Sequence, residues 1–187
     1  ENPLVVVPLD EIGRYGGTIK RALTGDIVQT PGVSKTLGEN LMGYERPLPK
    51  SILYNLAESH EFLDDGKVAI FKIRKGIKWS DGVPFTVDDI LFWYHDMTVN
   101  PDARANPLFP SAWLVEGKPI EMEKVDDHTL RFRSHKPLGR ILGILSTDMI
   151  AFPKHAYAQY HPKYNPKSSY EALRDSTTRA QTLFKPG

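Results

Sequence analysis

Six histidines, three adjacent aspartate pairs and a scatter of serines are the side chains of this sequence suited to metal binding, proton transfer or nucleophilic attack. Their spacing argues against all three. His60, His95, His128, His135, His155 and His161 contain no i, i+4 pair and no His-Glu-x-x-His run, so the spacing that puts two imidazoles on one helix face is missing. No Gly-x-Ser-x-Gly elbow is present to raise a serine onto a strained turn. Asp64-Asp65-Gly66-Lys67 has the composition of a solvated hairpin loop, whereas a carboxylate dyad needs a rigid scaffold that fixes its separation. Gly16-Gly17 is followed by neither the dinucleotide nor the P-loop spacing, so a phosphate cradle is not indicated. There is no cysteine, which removes disulfides and thiolate metal ligands together. The residues by themselves therefore indicate no catalytic constellation, and no cofactor and no metal are expected.

Charge and length narrow the class further. The chain has 187 residues, 24 basic and 23 acidic, a formal net charge of +1, and its basic residues are dispersed, so nucleic acid is not an expected partner. No apolar run is long enough to span a bilayer. Glu1-Asn2-Pro3-Leu4 lacks the basic start and apolar core of an export signal, and the chain stops on Leu183-Phe184-Lys185-Pro186-Gly187; it reads as an excised piece of a longer protein.

The elements that would position a binding surface are clearest from Ala69 to Tyr94. Ala69, Phe71 and Ile73 alternate with Ile70, Lys72 and Arg74, predicting a half-buried strand. Ser80-Asp81-Gly82 supplies a turn, with Gly82 free to take positive φ, and Pro84 limits further ladder pairing. Thr86 followed by Asp89 forms a capping-box pattern, with Asp88 and Asp89 at the positive end of a helix. Val87, Ile90, Leu91 and Tyr94 then give that helix its buried face. Trp79 is expected to close over the hairpin as a structural lid.

Elsewhere the signals are shorter. Leu4 to Val7 before Pro8 predicts an edge strand or arm, and Ile19 to Leu23 a strand entered through Gly16-Gly17. Thr24 to Gly43 reads as a loop leading to a short helix near Lys35 to Met42. Residues 61–63 and 68–71 predict one hairpin, and residues 120–125 and 128–133 a second with glutamates facing arginines. Leu138 to Leu145 predicts one or two helical turns and Met149 to Phe152 a buried strand. Helices follow at Pro153-Lys154-His155 and, capped by Ser168-Ser169, through Arg174.

The segment Arg74-Lys75-Gly76-Ile77-Lys78-Trp79-Ser80-Asp81-Gly82-Val83-Pro84-Phe85-Thr86-Val87-Asp88-Asp89-Ile90-Leu91-Phe92 resembles the signature of the bacterial extracellular solute-binding proteins of family 5, the dipeptide, oligopeptide and nickel receptors of ABC importers. Gly16-Gly17-Thr18-Ile19-Lys20, Leu56-Ala57-Glu58-Ser59-His60 (His60 where Trp is usual) and Phe152-Pro153-Lys154-His155 resemble further stretches of it. The resemblance runs from about residue 14 to residue 165 and is dense from Leu56 to Phe92.

It implies an α/β fold, mixed α+β in this fragment, of the type II periplasmic-binding-protein kind: part of a first lobe plus its additional domain. Residues 1–45 would be the arm and the start of the first lobe, 46–165 the additional domain, and 166–187 a truncated return segment. The implied function is non-enzymatic capture of a peptide or similar oligomeric solute, for a membrane ABC permease, by a monomer at the periplasmic or extracellular face of the cytoplasmic membrane. An oligosaccharide receptor is the alternative ligand class. A degradative enzyme or an interaction module on a borrowed scaffold is the alternative function. The resemblance also proposes ligand-facing residues: Thr30, Pro31, Gly32 and Val33 after the first strand, with Pro31 near the usual site of an acidic amino-terminus clamp, and Phe109 and Trp113 after the helix.

Overall fold

Two antiparallel hairpins merge into a single four-stranded sheet in the computed structural model of the chain. Residues 5, 11–14, 16–18, 38–44, 51–104, 108–148 and 150–182 are described. The first hairpin is β3 (Ala57–Leu63) with β4 (Val68–Ile73); before it, β1 (Met42–Tyr44) and β2 (Ile52–Tyr54) form a two-stranded ribbon. In β4, Ala69, Phe71 and Ile73 are buried and Lys72 is exposed, as the alternation predicts, while Val68 on the other face is buried as well. The β3–β4 turn places Asp64, Asp65 and Gly66 at φ of 50°, 49° and 79°, a left-handed run that Asp and Gly tolerate better than branched side chains.

After the short ribbon β5 (Leu114–Val115) and β6 (Lys118–Pro119), β7 (Glu121–Asp126) and β8 (Thr129–Arg133) make the second hairpin. The strand order is β3-β4-β8-β7, antiparallel throughout, with Phe71 opposite Leu130 and Met122 opposite Phe132. On the wet side, Glu123 lies 3.2 Å from Arg131 and 3.8 Å from Arg133, the expected cross-strand charge pairing. These pairs are partly exposed and worth about 0.2–1 kcal/mol each, enough to favour the register.

Between the hairpins, the chain makes a second, smaller turn structure. Trp79 N donates to Val83 O (2.8 Å), Phe85 N to Ile77 O (2.9 Å) and Val83 N to Asp81 Oδ1 (3.1 Å), with Gly82 at φ 89°. Thr86 then caps α1 (Val87–Leu91): Asp88 N donates to Thr86 Oγ1 at 3.3 Å, and Thr86 N donates back to Asp89 Oδ2 at 3.0 Å. Asp89 is only 5% exposed. Its carboxylate also accepts from Trp79 Nε1 (3.2 Å) and from Lys154 N (2.9 Å), at the start of α3 (Lys154–Tyr157).

α1 continues as a π-helix, Phe92–Val99. The spacing of Val87, Ile90, Leu91 and Tyr94 predicts one buried stripe; Val87, Ile90 and Tyr94 do face the sheet core, but Phe92, Asp96, Met97 and Thr98 are buried as well. The wider winding turns a second face inward, where Phe92 and Met97 pack with Ala103 and with Leu173 of α4 (Tyr170–Thr182). Asp96 accepts from Lys163 Nζ (2.7 Å) and Tyr164 Oη (2.6 Å). Beside it, the buried His161 ring accepts from Lys163 N at Nδ1 (3.1 Å), which leaves Nε2 as the donor to Asp96 O (3.2 Å).

Several expectations are corrected. Ile150 to Phe152 joins no sheet; Ile150 is buried, and Phe152 N donates to the Asp89 carbonyl instead of to a strand. Gly38 to Asn40 is not helical and Met42 opens β1, because Leu41 O is taken by Asn55 N and Ala57 N, bonds that hold this segment against β2 and β3. α2 (Ile141–Thr147) occupies the expected apolar turns, whereas α4 runs on to Thr182, past Arg174. The arm at Leu4 to Val7, apart from Val5, and the strand at Ile19 to Leu23 fall outside the described residues.

Two measurements check this account. Thr86→Ala is expected to lower stability by about 0.5–2 kcal/mol, and Asp89→Ala, which strands three N–H donors, by about 3 kcal/mol; urea midpoints that rank the two in the opposite order would contradict the network. Burial, followed by the charge of Glu121, pushes the Tyr94 phenol up to about 12. Because the folded value lies above the unfolded value near 10, stability from this group is intact below about pH 10 and lost as pH rises through about 12. Ultraviolet titration should show a late phenolate that Tyr94→Phe removes.

Candidate ligand-facing surface

The described surface carries a cavity with a polar rim and, apart from it, a partly exposed aromatic ring beside a cation. The first is a cavity of about 280 Å³ beside the Trp79 turn, walled by Leu41, Leu56, Ile77, Trp79, Phe85 and Ile150. Trp79 is half-buried and meets Phe85 edge-on, with centroids 5.5 Å apart, so its ring covers the small hairpin as expected of a lid. Its N–H is already committed to Asp89. Glu39, Lys78 and Ser80 supply polarity at the rim, and Glu39 accepts from Asn55 Nδ2 at 2.8 Å. Nearby, His155 Nε2 lies 2.6 Å from Asp81 Oδ2, and this bond holds the Asp81 carboxyl below the ordinary carboxylate range.

The second place follows the π-helix. Phe109 is half-buried, edge-on to Tyr94 at 6.5 Å, and the Arg104 guanidinium lies 5.9 Å from its ring centroid. Trp113 sits deeper: 1% exposed, it packs between Trp93 (5.4 Å), Tyr94 (6.3 Å) and Phe132 (6.3 Å). Phe109 thus offers an edge to the outside, while Trp113 is a wall of the sheet core. Thr30, Pro31, Gly32 and Val33 lie outside the described residues.

Arg104 was not singled out by sequence; a lone basic residue in a loop carries no periodic signal, and only its pairing with a following aromatic hints at it. Among the described residues, no group of three or more His, Asp or Glu side chains gathers to hold a metal. No helix among them is long and apolar enough to cross a membrane.

Residues 51–179 match the model of the bacterial extracellular solute-binding proteins, family 5. The chain is 30% identical over 120 residues to the periplasmic alpha-galactoside-binding protein of Rhizobium meliloti, covering 63% of this chain and 16% of that protein. Among solved structures, an oligopeptide-binding protein OppA superposes with a TM-score of 0.77 at 35% identity, over 92% of this chain and 26% of its own. The periplasmic binding protein MelB of Agrobacterium fabrum, in complex with stachyose, gives 0.65 at 28% identity, over 78% of this chain and 22% of its own. The chain spans less than a quarter of the length of the curated relatives it matches. The matched region contains the Trp79 turn, the Thr86 cap, both hairpins and the π-helix, so the resemblance and the architecture rest on the same residues. The chain belongs to the bacterial extracellular solute-binding proteins of family 5.

Proposed function

We propose that this chain is part of a receptor that captures a peptide outside the cytoplasmic membrane and delivers it to a membrane ABC permease. The observation that carries this reading is the likeness to the oligopeptide-binding protein OppA over 92% of the chain. In this reading, residues up to 45 begin the first lobe and residues 46–165 form the additional domain. Phe109 at the rim and Thr30 to Val33 face the ligand, and Trp113 supports Phe109 from within the core through Tyr94. The role is binding without catalysis, by a monomer, and the near-balanced charge is consistent with a solute ligand in place of nucleic acid.

A second ligand class has specific support. The alpha-galactoside-binding relative and the stachyose complex of MelB favour an oligosaccharide, and an exposed aromatic edge such as that of Phe109 suits a sugar ring as well as a peptide side chain. Mass spectrometry of the solute that co-purifies with the full-length protein distinguishes the two.

The reading also predicts how the 187-residue chain behaves by itself. A ligand enclosed between lobes gains contacts from both walls and from exclusion of water, so one wall leaves its polar groups paired with solvent. Closure, the signal a permease reads, needs two states that the ligand distinguishes. Calorimetry with the co-purified solute is expected to give weak or undetectable heat with this chain alone. Affinity within tenfold of the full-length protein, a gap of about 1.4 kcal/mol, would overturn the lobe assignment.

A further inference from the structure

We propose that the cavity beside the Trp79 turn is a binding site for a small apolar molecule, one whose body matches an aromatic ring or a branched aliphatic chain and whose polar head stays at the mouth. Leu41, Phe85 and Ile150 are buried members of the hydrophobic core, and Leu56, Ile77 and Trp79 pack half-buried against it, yet these walls enclose about 280 Å³. Protein interiors are packed like organic crystals and hold few voids larger than a water molecule, so a space of this size beside the core calls for a guest. Among the six side chains only the indole of Trp79 has a polar atom, and its N–H already donates to Asp89. The wall backbone is engaged too: Leu41 O accepts from Asn55 N and Ala57 N, Leu56 O from Arg74 N, and Ile77 O from Phe85 N.

The walls are also held apart. Asp89 ties the turn on one side, through Trp79 Nε1 (3.2 Å). On the other it ties the segment that follows Ile150, its carbonyl accepting from Phe152 N (3.3 Å) and its carboxylate from Lys154 N (2.9 Å). His155 Nε2, 2.6 Å from Asp81 Oδ2, adds a second strut between the same two segments. The cost of an apolar void depends on how far its lining can relax inward. Here the lining is fixed from both sides, so the cavity is preformed and a guest enters without rearranging it.

Glu39, Lys78 and Ser80 are exposed at the rim, which makes the space reachable. They offer an anion, a cation and a hydroxyl, so the head of the ligand is not selected by charge and selection falls on the body. An apolar cavity of about 150 Å³ takes a benzene-sized guest, and this larger one takes a ring with a short substituent. A sugar is rejected, because its hydroxyls would leave water and meet no partner inside. Phe109 is not part of these walls, so the site stands whether the receptor's solute is a peptide or an oligosaccharide.

The experiment uses the full-length protein labelled with 5-fluorotryptophan, the Trp79 fluorine resonance being assigned with Trp79→Phe. The probes are benzyl alcohol, benzoate and benzylamine, which share one body and differ in head charge, with glucose as the polar control. All three aromatic probes are expected to move the Trp79 resonance saturably, with dissociation constants within about fivefold of one another because exposed charges at a rim are screened. Glucose should leave the resonance in place. Ala151 also lines the cavity, and Ala151→Phe, which puts a ring into the space, is expected to weaken all three at least about thirtyfold. No saturable shift with any aromatic probe overturns the proposal, as does unchanged affinity in folded Ala151→Phe or equal binding of glucose. A strong preference for one head charge overturns selection by the body. Folding of each variant is checked by thermal melting; if Ala151→Phe does not fold, Leu56→Phe takes its place, and if neither folds, the discrimination of wild type between benzyl alcohol and glucose decides.

Discussion

A single buried carboxylate holds the described structure together. Asp89 receives an N–H from Thr86 beside it in sequence, another from the indole of Trp79 ten residues earlier, and a third from Lys154, 65 residues later. An anion this deep is tolerated only when its lone pairs are filled, and here the turn, the start of α1 and the start of α3 each contribute one donor. The position of α1 therefore fixes both the Trp79 turn and the entry to α3. The order of Trp, Gly, Thr and Asp along this segment serves this requirement: Gly82 turns the chain, Thr86 caps, and Trp79 reaches the same oxygen as Thr86 N.

The π-helix extends that organisation outward. Its sheet-facing side shares a core with Phe71, Leu130 and Phe132, while Phe92 and Met97 share another with Leu173. Asp96 within it is paired with Lys163, whose ammonium stays protonated to higher pH through this bond. Arg104 and Phe109 follow this doubly packed element in the chain and are both half-buried. The candidate surface thus stands on two cores, an arrangement suited to holding side chains still while a ligand arrives.

Legibility in the sequence tracked distance along the chain. The β4 alternation, both hairpins, the Gly82 turn and the Thr86 cap are readable because each is decided by neighbours a few residues apart. The third partner of Asp89 is not, since nothing near Asp89 encodes Lys154. The apolar run at Ile150 to Phe152 looks like a strand, yet strand character depends on a neighbour with free ladder groups, and Phe152 finds the Asp89 carbonyl instead. The π winding is hidden because Val87, Ile90, Leu91 and Tyr94 also satisfy an α period. For the site, sequence ranks Phe109 and Trp113 alike as aromatics; burial separates them, and the unpaired Nε of Arg104 exists only in three dimensions.

The Asp96–Lys163 bond has an entropic consequence. The β3–β4 turn is closed by a bond between residues three apart, Lys67 N to Asp64 O, whereas Asp96 and Lys163 are 67 residues apart. Loop-closure entropy scales with the logarithm of loop length, so bringing the latter pair together in an otherwise unfolded chain costs about 3 kcal/mol more. The sheet, whose strands run consecutively from β3 to β4 and from β7 to β8, shortens that loop when it forms. Closure of the Asp96–Lys163 loop thus borrows its feasibility from the sheet, and this long-range bond is thermodynamically a dependant of the hairpins.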